Sequence, residues 1–116
     1  MESDNGRLIP TTPEEKEFFA ILDEMGQVFL QKHHDYGPKN ITVTGDVGVI
    51  VRMADKVMRL INLRLDHPKR EPLNESIDDA FADLAVYGVI AQVCRRGVWP
   101  GVDGVENEKD QEVTKP

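Results

Sequence analysis

Four carboxylates lie close together in the second half of the chain: Glu75, Asp78, Asp79 and Asp83. At about 100° per residue, a helix would place all four within roughly 140° of its circumference. Carboxylates on neighbouring helical turns are typical ligands of Mg²⁺, which also takes water and phosphate oxygens. An alternative for Glu75, Asp78 and Asp79 is that they only complement the positive end of the helix dipole.

Asp83 is the most informative of these acids, because it runs into an apolar patch that includes Val86 and Tyr87. A carboxylate on such a surface needs a cation, a metal ion or several donors, since its unpaired burial is unfavourable. The sequence therefore predicts that Asp83 belongs to a binding site, with a cation, a metal ion or several donors as its partner.

A cationic stripe precedes the acids. Arg52, Lys56 and Arg59 recur at helical spacing, with Asp55 in the same stripe. Such a surface suits phosphate oxygens or the carboxylates of the following helix. A solvated helix face, or structural pairing of the two stripes across an antiparallel hairpin, would explain the same pattern.

A long loop over residues 35–46 offers two further candidates for ligand binding. Tyr36 could stack on a base and Lys39 could reach a phosphate. Surface positions without a function would look the same in the sequence.

Composition restricts the class of protein. The chain has 116 residues, 40% hydrophobic and 30% charged, which is typical of one globular domain. The net charge of -7 argues against general duplex DNA binding, which requires a basic face. Local basic patches could still hold a nucleotide.

We expect a cytoplasmic protein without a membrane segment. The N-terminus lacks the basic start and apolar core of a signal peptide, and no apolar stretch approaches the ~20 residues that span a bilayer. Cys94 is the only cysteine, so no internal disulfide can form.

Helical signals predict an all-α fold with three main helices at about 13–34, 47–66 and 75–96. The first begins with a capping box, in which Thr12 is the N-cap and Glu15 its partner. The second follows Asp46 and ends before Pro68. We expect a flexible arm at 1–11, one helical domain at 12–97 and a loosely ordered acidic tail at 98–116, apart from Trp99.

The apolar residues of each helix form stripes that predict its buried face. In the first helix these are Phe18, Ile21, Leu22, Met25 and Phe29. In the second they are Ile50, Ala54, Val57, Met58, Ile61 and Leu65. The second half of the third helix is apolar on almost every side, which predicts a homodimer or homotetramer with a four-helix-type core.

Several residue blocks, in this order, resemble a phage and bacterial domain associated with nucleotide modification. They are Lys-His-His-Asp-Tyr-Gly at 32–37, Gly48 followed by Arg-Met-Ala-Asp-Lys-Val-Met-Arg-Leu at 52–60, Glu-Ser-Ile-Asp-Asp at 75–79, and Asp-Leu-Ala-Val-Tyr at 83–87. That domain is similar to the all-α MazG and dimeric dUTPase-like nucleotide pyrophosphohydrolases. The resemblance covers about residues 32–90.

The resemblance implies an oligomeric, Mg²⁺-dependent enzyme with a MazG-like helical bundle. Such an enzyme cleaves a nucleoside triphosphate to monophosphate and pyrophosphate. Asp55, Asp79 and Asp83 would hold metal with the assistance of Glu75 or Asp78, and Asp79 and Asp83 would be catalytic. Arg52, Lys56 and Arg59 would bind phosphates, and the location would be the host cytoplasm if a phage encodes the protein.

The sequence departs from the MazG pattern in its acids. Ala80 stands where a glutamate would precede Asp83, and the second helix offers Asp55 with Arg52 three residues before it. The alternative is therefore a non-catalytic protein that binds or sequesters a nucleotide on the same fold. A third possibility is that the charged stripes are purely structural.

Overall fold

The computed structural model describes residues 6–105. Its regular elements over that range are helical, which confirms the all-α prediction. They are α1 (Pro13–Tyr36), the short α2 (Lys39–Thr42), α3 (Gly45–Leu60), a π-helix (Ile61–Asp66) and α4 (Ile77–Arg95). None of the described helices is long and apolar enough to cross a membrane.

The contacts divide the chain into two compact units, Met1–Asp35 and Tyr36–Pro116. The sequence analysis expects one helical domain over 12–97, so this boundary at the end of α1 is a new feature. The unit that contains the candidate site residues of α3 and α4 is the second one.

The first unit is built around α1, and its capping box is confirmed. The amide of Glu15 donates to Thr12 Oγ1 at 3.2 Å, and the amide of Thr12 donates to Glu15 Oε1 at 3.1 Å. A further amide bond from Thr11 and the bond from Thr12 hold the pKa of Glu15 below its ordinary value. The helix ends two residues later than predicted, before Gly37 with its positive φ of 69°.

The apolar stripe of α1 is not buried as predicted. No residue of this helix is buried, and Phe18 and Ile21 are among its exposed apolar side chains. A lone helix is only marginally stable in water, and apolar packing supplies most helical stability in proteins. Among the described residues, this stripe is therefore left without a buried position.

The second unit is centred on the packing of α3 against α4, and cross-contacts show that the two helices run antiparallel. Asp46 at the start of α3 lies 3.7 Å from Arg95 at the end of α4, while Lys56 in the last turns of α3 reaches Asp83 in the first half of α4. This arrangement is the antiparallel hairpin that the charged stripes suggest.

The orientation of α3 differs from the prediction. Its predicted apolar face is turned outward, with Ile50 60% and Met58 63% exposed. Val49 is fully buried, and Lys56 and Arg59 on the same side retain only 19% and 23% side-chain exposure. The predicted buried face is therefore wrong for this unit, because the charged stripe finds partners on α4.

The predicted second helix continues as a π-helix rather than ending as α-helix. The amide of His67 donates to the carbonyl of Asn62, five residues earlier, at 2.9 Å. The helix stops before Pro68 as expected. One residue of this turn, Leu63, is buried.

The helix α4 begins slightly later than predicted, because Ser76 is its N-cap. The amide of Asp79 donates to Ser76 Oγ at 3.0 Å, and the amide of Ser76 donates to Asp79 Oδ2 at 3.1 Å. Ala80, Ile90 and Cys94 are its buried residues. Burial raises the pKa of the Cys94 thiol.

Part of the predicted loose tail is held in place. Trp99 is only 5% exposed and its Nε1 donates to the carbonyl of Pro38 at 3.0 Å. The hydroxyl of Thr42 donates to the carbonyl of Pro100 at 2.6 Å, and the amide of Val105 donates to the carbonyl of Arg95 at 2.7 Å. Residues 98–105 are thus tied to the second unit, whereas 106–116 and residues 1–5 of the predicted arm lie outside the described range.

Candidate functional site

Lys56 is the centre of the candidate site, because its ammonium group joins two carboxylates. Its Nζ lies 2.7 Å from Glu75 Oε1 and 3.0 Å from Glu75 Oε2. The same nitrogen lies 2.9 Å from Asp83 Oδ2. Glu75 precedes the N-cap of α4 and Asp83 lies in the second turn of that helix. One lysine of α3 therefore links two positions at the start of the neighbouring helix.

Arg59 supports the same cluster from one turn further along α3. Its Nη2 donates to the backbone carbonyl of Glu75, and its Nε lies 3.9 Å from Glu75 Oε1. Within the described part of the chain that buried Nε has no hydrogen-bond partner. The guanidinium therefore holds the backbone at Glu75 as well as adding positive charge.

Partial burial decides how much these ion pairs contribute to the stability of the folded protein. The side chain of Lys56 is 19% exposed, that of Asp83 23% and that of Glu75 38%. Fully exposed pairs contribute about 0–1 kcal/mol because water screens them. We expect the Lys56–Asp83 pair to exceed that range modestly, and the Lys56–Glu75 pair to be more strongly screened.

The contacts with Asp83 and then Glu75 raise the pKa of Lys56, since the hydrogen bonds to both carboxylates favour the charged ammonium. Lys56 is therefore charged at neutral pH. The four side chains of the cluster, Lys56, Arg59, Glu75 and Asp83, balance in formal charge.

The other predicted metal ligands lie outside this cluster. Asp79 caps α4 through Ser76, which is a structural use of its carboxylate. Asp78 is exposed in the first turn of α4, and Asp55 is exposed on α3. Among residues 6–105, no group of three or more His, Cys, Asp or Glu side chains is arranged to hold a metal ion.

The remaining predicted ligand-binding residues are also dispersed. Arg52 uses its Nη2 to donate to the carbonyl of Asn40 at 3.0 Å. Tyr36 is 72% exposed and Lys39 is exposed on α2. Of the five residues predicted to bind substrate, the structure brings Lys56 and Arg59 together with acids of the predicted site.

Ala80 occupies an informative position. The resemblance expects a glutamate there, three residues before Asp83, but the alanine is fully buried. A carboxylate at such a position would need a compensating partner, because burial of an unpaired charge is unfavourable. The two converging acids are therefore Glu75 and Asp83 rather than the pair that the MazG pattern would supply.

Sequence reasoning identified all four members of the cluster but missed how they contact one another. The bond from Arg59 to the Glu75 carbonyl has no sequence signal, since every residue carries a backbone acceptor. Pairing of the two charged stripes across an antiparallel hairpin was one of the sequence interpretations, but the sharing of Lys56 by both acids depends on the register of the hairpin.

Comparison with known proteins leaves the family open. No protein-family model matches this chain, and comparison with curated proteins and with solved structures found no match. The resemblance to MazG-like enzymes therefore rests on the ordered motifs alone.

Proposed function

We propose that this chain is a Mg²⁺-dependent, MazG-like nucleotide pyrophosphohydrolase that cleaves a nucleoside triphosphate to monophosphate and pyrophosphate. The observation that carries the proposal is the convergence of the Glu75 and Asp83 carboxylates on a single cation position, the Lys56 ammonium, beside Arg59. Two carboxylates that already share one cation are suited to share another.

The donor set fits Mg²⁺ in part. Mg²⁺ is commonly bound through one or two carboxylates together with substrate phosphates and water, so Glu75 and Asp83 would suffice as protein ligands. Bound Mg²⁺ would supply charge neutralisation at the phosphates and activate the attacking water. Asp55, Asp78 and Asp79 remain proposed ligands that the chain does not gather at this point.

The cations of the cluster would orient the substrate. Glu75 and Asp83 would hold the metal ion, and the Lys56 ammonium would donate to a phosphate oxygen of the substrate. Arg59 keeps the backbone of Glu75 in place through its carbonyl contact, and Arg52 and the exposed Tyr36 and Lys39 would extend the binding surface. Asp79 and Asp83 are the proposed catalytic acids.

A second candidate function is non-catalytic nucleotide binding or sequestration. Two observations favour it: Lys56 already balances Glu75 and Asp83, and the acid that the MazG pattern expects is a fully buried Ala80. A site with fewer free carboxylates binds phosphate through its cations but is less suited to metal-assisted hydrolysis.

The proposal includes an assembly and a location. The apolar second half of α4 supports a homodimer or homotetramer. The composition and the single cysteine support a cytoplasmic protein, in the host cytoplasm if a phage encodes it.

The test is incubation of the full chain with a panel of nucleoside and deoxynucleoside triphosphates and Mg²⁺, with measurement of pyrophosphate release. We expect Asp83→Ala to reduce release at least ~100-fold, because it removes one of two converging carboxylates. The matched control is Asp66→Ala, an exposed acid outside the cluster, which should leave release unchanged.

Parallel calorimetry of nucleotide binding separates the candidates. Binding without turnover would contradict hydrolysis and support the sequestering protein. Absence of both binding and turnover would contradict both candidates and leave the paired stripes as a structural feature of the hairpin.

A further inference from the structure

Residues 98–105 connect the end of α4 to the short helix α2, and we call this segment the strap. Trp99 is only 5% exposed, and its Nε1 donates to the carbonyl of Pro38 at 3.0 Å. The hydroxyl of Thr42 donates to the carbonyl of Pro100 at 2.6 Å. Pro38 is the N-cap of α2 and Thr42 is its last residue, so the strap holds α2 at both ends.

A close crossing of two backbone segments fixes the strap to the end of α4. The amide of Val105 donates to the carbonyl of Arg95 at 2.7 Å. A Cβ atom added to Gly104 would lie 2.7 Å from the amide nitrogen of Gly97 and 2.9 Å from the carbonyl oxygen of Arg95. These neighbours are backbone atoms that cannot rotate away, so a side chain at position 104 has to displace the strap.

The helix α2 is in turn bonded to the cationic stripe of α3. The carbonyl of Asn40, inside α2, accepts from Arg52 Nη2 at 3.0 Å. Arg52 is half-buried and precedes Lys56 by one turn on the same face of α3. A hydrogen bond from a charged donor is stronger than one between neutral groups, so the Asn40 carbonyl fixes the direction of the guanidinium. Displacement of α2 would therefore free Arg52.

We propose that the strap positions α2, and through it Arg52, so that Trp99 is a positioning residue of the nucleotide site. The role of Arg52 in binding rests on the proposed function, whereas the hold of the strap on α2 does not depend on it. A buried indole N–H needs an acceptor, and the Pro38 carbonyl supplies one at the start of α2.

The fluorescence of Trp99, the only tryptophan, reports the position of the strap in the full chain. Gly104→Ala should shift the emission maximum to longer wavelength, because displacement of the strap exposes the indole. The amides of Thr42 and Val43, which close α2, should exchange their hydrogens at least ~3-fold faster. The matched control is Gly88→Ala, where an added Cβ would meet no atom within 4 Å, and it should change neither signal.

Calorimetry of nucleotide binding tests the effect on Arg52. Trp99→Phe keeps an aromatic ring and removes the N–H donor. With α,β-methylene analogues of the triphosphate panel, which the proposed reaction cannot cleave, this substitution should raise the Kd roughly 3- to 10-fold at unchanged stoichiometry. A merely structural role would lower the stoichiometry and leave the Kd unchanged, because unfolded molecules drop out. In an Arg52→Gln background, Trp99→Phe should raise the Kd less than ~2-fold, since the positioned guanidinium is already absent.

The two measurements separate the ways in which the proposal fails. Unchanged emission in Gly104→Ala, or unchanged exchange of the α2 amides after the emission has shifted, would show that the strap does not hold α2. An equal increase of the Kd in both Arg52 backgrounds would show that Trp99 does not act through Arg52.

A wild-type protein that binds no analogue would contradict the proposed function and with it the role of Trp99 in binding. The exchange data would then still show whether the strap holds α2. Should Gly104→Ala fail to fold, exchange of the α2 amides in Trp99→Phe decides the same point, because that substitution removes the bond to Pro38 without adding a side chain at the crossing. Faster exchange supports the strap, and exchange equal to that of the wild type overturns it.

Discussion

The two sides of α3 differ in chemistry: the side that faces α4 is charged, and the opposite side is apolar and exposed. The inner side turns Lys56 and Arg59 toward α4, where Glu75 and Asp83 receive them. The outer side presents apolar residues that stay exposed among the described residues, including Ile50 and Met58. Charged stripes can face a neighbouring helix when the neighbour supplies matching charges, and the apolar side is then left for another surface.

This difference shows what amphipathic periodicity does and does not determine. The period of the sequence separates α3 into two stripes, but it contains no information about which stripe faces the next helix of the same chain. The choice depends on the partner stripe, which here is acidic at the start of α4.

The largest expected effect concerns the inner side. Lys56→Met leaves Glu75 and Asp83 close together without their shared cation, so we expect the free energy of unfolding to fall by about 2 kcal/mol, allowing for solvent screening. Urea unfolding followed by the fluorescence of Trp99, the only tryptophan, measures it. Lys69→Met, at an exposed lysine, should change stability by less than about 0.5 kcal/mol. Equal effects of the two substitutions would contradict the account.

A pair of identical substitutions compares the two sides directly. Val49→Ala truncates a fully buried side chain and should lower the free energy of unfolding by about 2 kcal/mol, because burial is lost and a cavity forms. Val51→Ala, at a valine that is 58% exposed, should cost less than about 0.5 kcal/mol at low protein concentration. A larger cost for Val51→Ala than for Val49→Ala would reverse the assignment of the two sides.

The N-cap residue Ser76 sets the start of α4, the helix that carries Asp83. Ser76→Ala should destabilise the protein by about 1 kcal/mol, because the amide of Asp79 loses its acceptor. Ser76→Asp is the matched control, since aspartate is also a good N-cap and should retain most of the stability. Thermal unfolding of both variants distinguishes loss of the cap from a general intolerance of substitution at this position.

The smallest expected effect is a pH dependence at the alkaline end. The contacts with Asp83 and Glu75 raise the pKa of Lys56 in the folded protein, so its contribution to stability is complete below the unfolded lysine pKa of about 10.4. That contribution is lost as the pH rises through the higher folded pKa. The difference in unfolding free energy between wild type and Lys56→Met should therefore stay constant from pH 7 to 9 and decrease once the pH rises above the unfolded lysine pKa of about 10.4. A difference that already falls between pH 7 and 9 would contradict the assigned pKa direction.

Much of the local structure could be predicted from the sequence. The capping box of Thr12 and Glu15 is a short-range pattern, and the sequence specified its hydrogen bonds correctly. The charged stripes of α3 and α4 contact each other, which was one of the possibilities that the sequence left open. The stripes could be recognised because a spacing of three and four residues fixes which side chains share a helix face.

The features that sequence could not reveal depend on distant contacts or on backbone acceptors. Trp99 donates to the carbonyl of Pro38 across 61 positions of the chain, and nothing in either segment specifies that pairing. Asp79 was predicted as a metal ligand on its position in the acidic stripe, but the local cap uses its carboxylate. The role of Mg²⁺ stays a prediction.

A double-mutant cycle between Lys56 and Asp83 tests the central claim most directly, namely that the charged side of α3 faces α4. The cycle compares Lys56→Met, Asp83→Asn and the double variant by urea unfolding at low salt. The account predicts a coupling energy of about 1.5 kcal/mol, modestly above that of a fully exposed pair, because the two groups are 2.9 Å apart and each is largely shielded from water. A coupling energy indistinguishable from zero would mean that the two side chains do not meet, and it would contradict the orientation of α3 on which the proposed site depends.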